Sequence, residues 1–243
     1  MKKLDILAFG AHPDDVELSC SGTLIKSVQN GAKVGIVTLT EAELGTRGST
    51  ELRQKEFTNA AQVIGADVYE SLDLPDGHLT LTNESMKIVI EKIREFKPTL
   101  IFLPYWEDRH PDHGNASKII QDASFLAGLK KIETGQEPFR PAQLIYYMST
   151  WEFEPDFVFD ISDVFELKQN AIQCYSSQVH NKGYQEQFNE EETFISSPQF
   201  LDYLTARAAF YGHRIGKKYG EPFKIRGLLE VKDLFDTFGD NIY

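Results

Sequence analysis

The chain has 243 residues, 41% hydrophobic and 26% charged, which is enough for one α/β domain to bury a core without disulfides. A formal net charge of -12 excludes a nucleic-acid binder, because phosphates reward a basic surface. No run approaches the ~18 apolar residues of a membrane span. Cys20 and Cys174 are isolated, which excludes a disulfide framework or a cysteine zinc site and makes the cytoplasm the expected compartment.

The opening MKKLDILAFGAH has two lysines and a short apolar run, as a signal peptide would. It leads straight into His, Asp and Glu rather than a small-residue cleavage site, so residues 4–9 read as a first buried strand. Val16, Cys20, Leu24 and Val28 recur every four residues and predict a helix over 16–30. A strand over 33–39, a helix over 50–64 and a weaker strand over 67–74 follow. Residues 84–96 read as a helix with Ile88, Ile90 and Ile93 as core candidates, stopped by Pro98. The run TLIFLP over 99–104 is a fourth strand and 114–130 a fourth helix.

This alternation implies a Rossmann-like α/β fold: a mostly parallel sheet with helices on both faces and right-handed crossovers. Beyond residue 140 the pattern changes to strands over 143–148 and 157–161 and helices over 163–177 and 199–215, with a polar loop over 179–197. There is no internal repeat and no linker, so 1–243 reads as a single domain. A strand order of 3-2-1-4-5 makes the first and fourth strands neighbours at the topological switch point. Ligands in such sheets bind outside the carboxyl ends of the strands there, which is where the active site is expected.

Two loops at those ends hold the chemistry. Ala11-His12-Pro13-Asp14-Asp15-Val16-Glu17 follows the first strand, and Glu107-Asp108-Arg109-His110-Pro111-Asp112-His113 follows the fourth. A catalytic zinc site needs three nitrogen or oxygen ligands and an open position, and His12, Asp15 and His113 supply that set. Turn and cap chemistry explains either loop alone, since Pro fixes φ and Asp caps helices. It does not explain three of six histidines gathered in two loops that meet. A dinucleotide site is excluded, because the first loop is not G-x-G-x-x-G and Asp14 and Asp15 would repel a pyrophosphate.

The pair A-H-P-D-D-V-E and H-P-D-H resembles the PIG-L superfamily of zinc N-deacetylases, which act on N-acetylglucosamine conjugates; the similarity spans most of the chain. The resemblance implies one zinc per chain on His12, Asp15 and His113, Asp14 as general base and His110 as oxyanion stabiliser. The chemistry agrees: zinc lowers the pKa of water towards ~7, and a carboxylate can return the proton to the leaving amine. A protonated His110 would share the oxyanion, with Asp112 favouring its charged form or else capping the helix that follows. Two His and one carboxylate also fit Fe2+.

For the small-molecule amino-sugar substrate, Arg53 resembles a family arginine touching sugar hydroxyls or the acyl end, and Asp76 resembles an acidic sugar ligand. Arg109, beside His110, can grip an anionic aglycone, and Asp108 stands behind the ligands. His78, His180 and His213 read as surface or core histidines.

Within the superfamily the bacillithiol-pathway deacetylases of N-acetylglucosaminyl malate are most alike. The support is overall length, the second motif and the tail Lys218-Tyr219-Gly220-Glu221-Pro222-Phe223. Malate's two carboxylates call for cations, with Arg47 and the pair Lys217-Lys218 as further candidates beside Arg109. The loop 178–197 is a lid or an oligomer contact, and the family resemblance implies a homo-oligomer, trimer or hexamer. Chitooligosaccharide deacetylases and mycothiol-type amidases share the same catalytic residues. A non-catalytic glycan or metal-binding module on the fold has no need of Asp14.

Overall fold

The computed structural model describes residues 3–239, and its first half follows the hydrophobic periodicity closely. It runs β1 (Ile6–Gly10), α1 (Asp15–Gln29), β2 (Val34–Thr38), α2 (Thr50–Ile64), β3 (Val68–Ser71), α3 (Asn83–Phe96), β4 (Leu100–Pro104) and α4 (Pro111–Leu126). Every residue of β1 and β2 is buried, because helices cover both faces of the sheet. Alternate side chains therefore serve two cores. Ile6 and Ala8 pack with Val16, Cys20 and Leu24 of α1 and Phe57 of α2. Leu7 and Phe9 pack with Val89, Ile90 and Ile93 of α3 and Ile119 and Ile120 of α4. Ile88, expected in the core, is only partly buried; Val89 takes its place.

The remaining elements are β5 (Gln143–Tyr147), β6 (Phe157–Asp160), α5 (Phe165–Gln173), α6 (Lys182–Phe188), α7 (Pro198–His213), β7 (Gly220–Ile225) and α8 (Leu234–Phe238). The seven described strands form one sheet in the order β3-β2-β1-β4-β5-β7-β6. β1 pairs in parallel with both β2 and β4, so the switch point lies between β1 and β4 as expected. Only β7 runs against its neighbours, β5 and β6. No helix among the described residues is long and apolar enough to cross a membrane.

Three expectations are corrected. The polar segment over 179–197 contains α6, started by Asn181, whose side chain accepts from the Tyr184 amide. α4 begins at Pro111 rather than at 114, because proline suits the first helical turn, where its missing N–H is no loss. β7 was not expected at all, since Glu221 and Pro222 interrupt any strand pattern. Glu221 is nonetheless buried, because Lys168, the Thr23 hydroxyl and the amides of Gly22 and Thr23 all donate to its carboxylate.

Candidate metal centre and its cavity

The β1–α1 loop folds tightly on itself. A Cβ at Gly10 would lie 3.0 Å from the His12 carbonyl and 3.1 Å from Asp15 Cβ, so glycine permits the turn. Asp15 Oδ2 accepts from the amides of Ala11 (2.8 Å) and His12 (2.9 Å). Its other oxygen is 3.1 Å from His113 Nε2, across the switch point in the first turn of α4. The two loops meet at Asp15.

Both histidines are held from behind. His12 turns Nδ1 towards Asp15, 3.8 Å away, and sets Nε2 2.9 Å from Asp76 Oδ1 and 3.5 Å from Asp112 Oδ2. His113 sets Nδ1 2.8 Å from Asp108 Oδ1. Asp108 is anchored in turn by the amides of His110, Thr150 and Trp151. A ring whose outer N–H goes to a carboxylate presents its inner lone pair, which is how metal-binding histidines are oriented. His12, Asp15 and His113 thus bring together donors of the kind a divalent ion takes, two imidazole nitrogens and a carboxylate oxygen.

Electrostatics agree. Burial works against charge on His12, but Asp112, Asp76 and Asp15 hold its pKa up at about 9. Burial likewise opposes charge on His113, and Asp15 and Asp108 raise it to about 10. Burial would raise the pKa of Asp15; His113 and His12 overcome it and keep the carboxyl well below the usual range. The crowd of carboxylates demands positive charge, which two imidazolium protons or one divalent cation would each supply. Among the described residues the sets whose ligand atoms all lie within 4.8 Å of one another are His12-His110-His113 and His12-Asp76-Asp112, neither of which includes Asp15. Asp76 and Asp112 are already engaged, by the Leu44 amide and by the Gly77 and Leu79 amides respectively.

Asp14 stands beside this cluster with a φ of 121° and a ψ of -24°, a region that side-chain-bearing residues rarely occupy. It makes no side-chain cap to α1, so turn-and-cap chemistry does not account for it. Its Oδ2 accepts from Arg53 Nη1 at 3.2 Å, and the same nitrogen donates to the Pro13 carbonyl at 2.8 Å. Burial pushes Asp14 up to about 6, although the Arg53 charge pulls the other way. Arg53 thus reaches the cavity as expected, but its visible task is to hold Asp14.

The Asp112 carboxylate goes to Gly77, Leu79 and His12, while its amide donates to His110 Nδ1 at 3.2 Å, and its charge favours the protonated form of His110. His110 is itself the cap of α4, and burial together with the charges of His12 and His113 lowers its pKa. A neutral ring that accepts at Nδ1 carries its proton on Nε2. Asp76 lines the cavity and meets His12 and the Leu44 amide with its two oxygens, so it orients a histidine there.

These groups open onto a cavity of about 320 Å³. Its outer wall includes Thr193, Phe194 and Ile195, so the segment 178–197 forms one side of the cleft. Arg109 lines the mouth and lays its guanidinium over Phe194, 4.5 Å from the ring centre. Arg47 is not a substrate cation: it is buried and donates to the carbonyls of Ser177 and Glu191, tying 178–197 to the loop after β2. Lys217 and Lys218 are exposed between α7 and β7 and do not line the cavity. His78 and His213 are exposed and His180 is half-buried, away from the cluster. A larger hollow of about 610 Å³ is lined by Phe125, Arg140, Tyr146 and Arg226 but by no histidine. Ser149, Thr193 and Arg207, which also line the first cavity, carry no motif that the sequence alone would reveal.

Residues 7–124 match the family model described as PIG-L, GlcNAc-PI de-N-acetylase. That stretch of the chain is a PIG-L family domain. Diacetylchitobiose deacetylase of Thermococcus kodakarensis is 29% identical over 89% of this chain and 80% of its own length. A probable N-acetyl-alpha-D-glucosaminyl L-malate deacetylase 2 of Bacillus anthracis is 26% identical over 73% of this chain and 82% of its own. Bacillithiol-type relatives are therefore distant. Among solved structures, the conserved protein TT1542 from Thermus thermophilus superposes with a TM-score of 0.85 at 34% identity, covering 94% of this chain and 98% of that one.

Proposed function

We propose that this chain is a zinc-dependent N-deacetylase of N-acetylglucosamine conjugates, with His12, Asp15 and His113 as the metal ligands. The observation that carries the reading is the pair of histidines, each backed by its own carboxylate and turned towards Asp15 beside the strained Asp14. A divalent ion held there would supply Lewis acidity towards the amide oxygen and lower the pKa of water.

The chain's own residues do the rest. Asp14, poised at about 6, takes the proton of the attacking water and passes it to the leaving nitrogen, which cannot depart as an anion. Arg53 fixes that carboxylate in place. Neutral His110 donates from Nε2 to the developing oxyanion, a role that needs a positioned donor rather than a full charge. Asp76 and Asp108 keep the two ligand rings from turning.

The conjugate we favour is N-acetylglucosaminyl malate, as in bacillithiol biosynthesis. Arg109 supports it: a cation at the mouth of the cavity with no hydrogen bond or ion pair among the described residues. The test is acetate release from N-acetylglucosaminyl malate, diacetylchitobiose and a mycothiol-type conjugate. The malate conjugate should be turned over fastest, with activity lost to a chelator and restored by zinc. Absence of acetate from all three with metal-loaded protein would overturn the deacetylase reading, and preference for diacetylchitobiose would overturn the malate assignment alone.

A further inference from the structure

The cavity that holds the histidines and carboxylates is not polar throughout. Leu18 of α1, Leu44 of the loop after β2, and Phe194 and Ile195 of the segment before α7 also line it. Leu44 is 64% exposed and Phe194 49%, while Leu18 and Ile195 are half-buried, so hydrocarbon on this wall is open to contact. Phe200 and Leu204 of α7 line the cavity too, and they form a buried apolar cluster against which Leu18 and Ile195 pack. Phe194 stands edge-on to Phe200, with ring centres 5.4 Å apart. Three stretches of chain therefore bring apolar side chains to one wall, and a core cluster backs it.

Two links tie this wall to the reacting end. Leu18 follows Asp15 by three positions on α1, a spacing that sets Cβ atoms about 5–6 Å apart. The Leu44 amide donates to Asp76 Oδ2 at 3.0 Å, and the other oxygen of Asp76 meets His12. A substrate whose amide reaches the histidines and Asp14 has its next few bonds beside this surface.

We propose that the wall is a subsite for an apolar group of the substrate, a short alkyl or aryl group a few bonds from the amide that is cleaved. The inference rests on the deacetylase reading for that amide, and not on the malate assignment. Binding sites for small molecules gain most of their affinity from such apolar lining, with a few polar groups to fix orientation. The methyl of an acetyl group is one carbon and covers little of a wall built from several side chains. Two parts of the substrate can supply more: an acyl chain longer than acetyl, or the aglycone. The cations nearby leave the surface free. Arg207 gives its guanidinium to the carbonyls of Ser149 and Leu18, and Arg109 covers one face of Phe194 without burying it.

The test reads binding without turnover, by calorimetry on zinc-loaded Asp14→Asn protein. Methyl, butyl and phenyl N-acetylglucosaminide lengthen the aglycone, and methyl N-pentanoylglucosaminide lengthens the acyl chain. At least one series should bind about tenfold tighter than the methyl N-acetyl compound, since each methylene seated is worth up to about fourfold. That gain should shrink at least about threefold in Leu18→Ala, in Ile195→Ala and in Leu44→Ser, the last at an exposed side chain whose loss leaves the core intact. Tighter binding of butyl or phenyl alone assigns the wall to the aglycone, and of pentanoyl alone to the acyl chain. No gain in either series, or a gain that survives all three substitutions, would overturn the proposal. If the gain is seen while the protein with Asp14 intact releases no amine from any of these compounds, the deacetylase reading fails and the apolar subsite stands. If amine is released and both series are flat, the subsite alone fails.

Discussion

At the inner end of the cavity Asp76, Asp108 and Asp112 each accept at least two bonds, so His12 and His113 are held in one orientation. At the mouth Arg109 lays its guanidinium over Phe194 and has no hydrogen bond or ion pair among the described residues. Chemistry gains from groups fixed before the substrate arrives, because no reorganisation is then needed during reaction. Recognition gains from donors whose partner is the ligand itself. The strained backbone of Asp14 belongs to the first kind: the surrounding network holds a residue where it would not rest alone.

The contrast can be broken most severely at His113. His113→Ala removes a ligand and leaves Asp15 and Asp108 without their shared partner. Most of the bound metal and nearly all activity should go, as read by metal analysis of the purified variant. Full metal occupancy would show the ligand set to be wrong. A milder loosening is Asp108→Ala, which frees the His113 ring without removing it. Metal affinity or activity should fall by about 10–100-fold, the usual worth of such a backing carboxylate. A variant with unchanged zinc affinity and rate would show that His113 needs no support.

The smallest effect concerns stability and comes from Glu17, behind the same loop. Its Oε1 accepts from the Tyr175 hydroxyl, but Oε2 has no hydrogen-bond partner among the described residues, and burial pushes its pKa up to about 8. The folded carboxyl is therefore protonated where the unfolded one, with its ordinary value of 4.5, is ionised. Its contribution to stability is full below that ordinary value and is lost as pH rises through about 8. Glu17→Gln carries no such dependence, so its Tm should gain on the wild type between about pH 5 and pH 8 and the gap should then level off. A difference that stays constant with pH would place the unpaired, ionised carboxylate in the folded protein.

Much of the inner end was legible in the sequence, because its residues lie in two short motifs at the ends of buried apolar strands. His12, Asp14, Asp15, His110 and His113 were readable there, and the structure brings all five onto one cavity. The partners behind them were not. Asp112 lies one residue from His113 but turns its carboxylate to His12, since Pro111 starts the helix and sends successive side chains to different sides. Asp76 stands 64 positions from His12, and no local pattern records that contact. The outer end was illegible for the same reason in stronger form. Ser149, Thr193 and Arg207 come from three separate segments, and no local pattern records that they line one cavity. Strand β7 carries a buried Glu221–Lys168 pair, which hydrophobic periodicity cannot reveal.

The central claim assigns neighbouring carboxylates different work, Asp15 to the metal and Asp14 to the proton. Asp14→Asn keeps the shape and the contact distance to Arg53 but removes basicity. Metal content and acetate release measured on the same preparation decide the matter. The account predicts unchanged zinc and a turnover lower by about 10²–10⁴, the range of a positioned acid–base group. In the wild type, where the base must be ionised, the rate should climb with pH through about 6, and that limb should vanish in the variant. A variant that keeps zinc and turns over near the wild-type rate would contradict the account, and so would one that loses its metal as Asp15→Asn should.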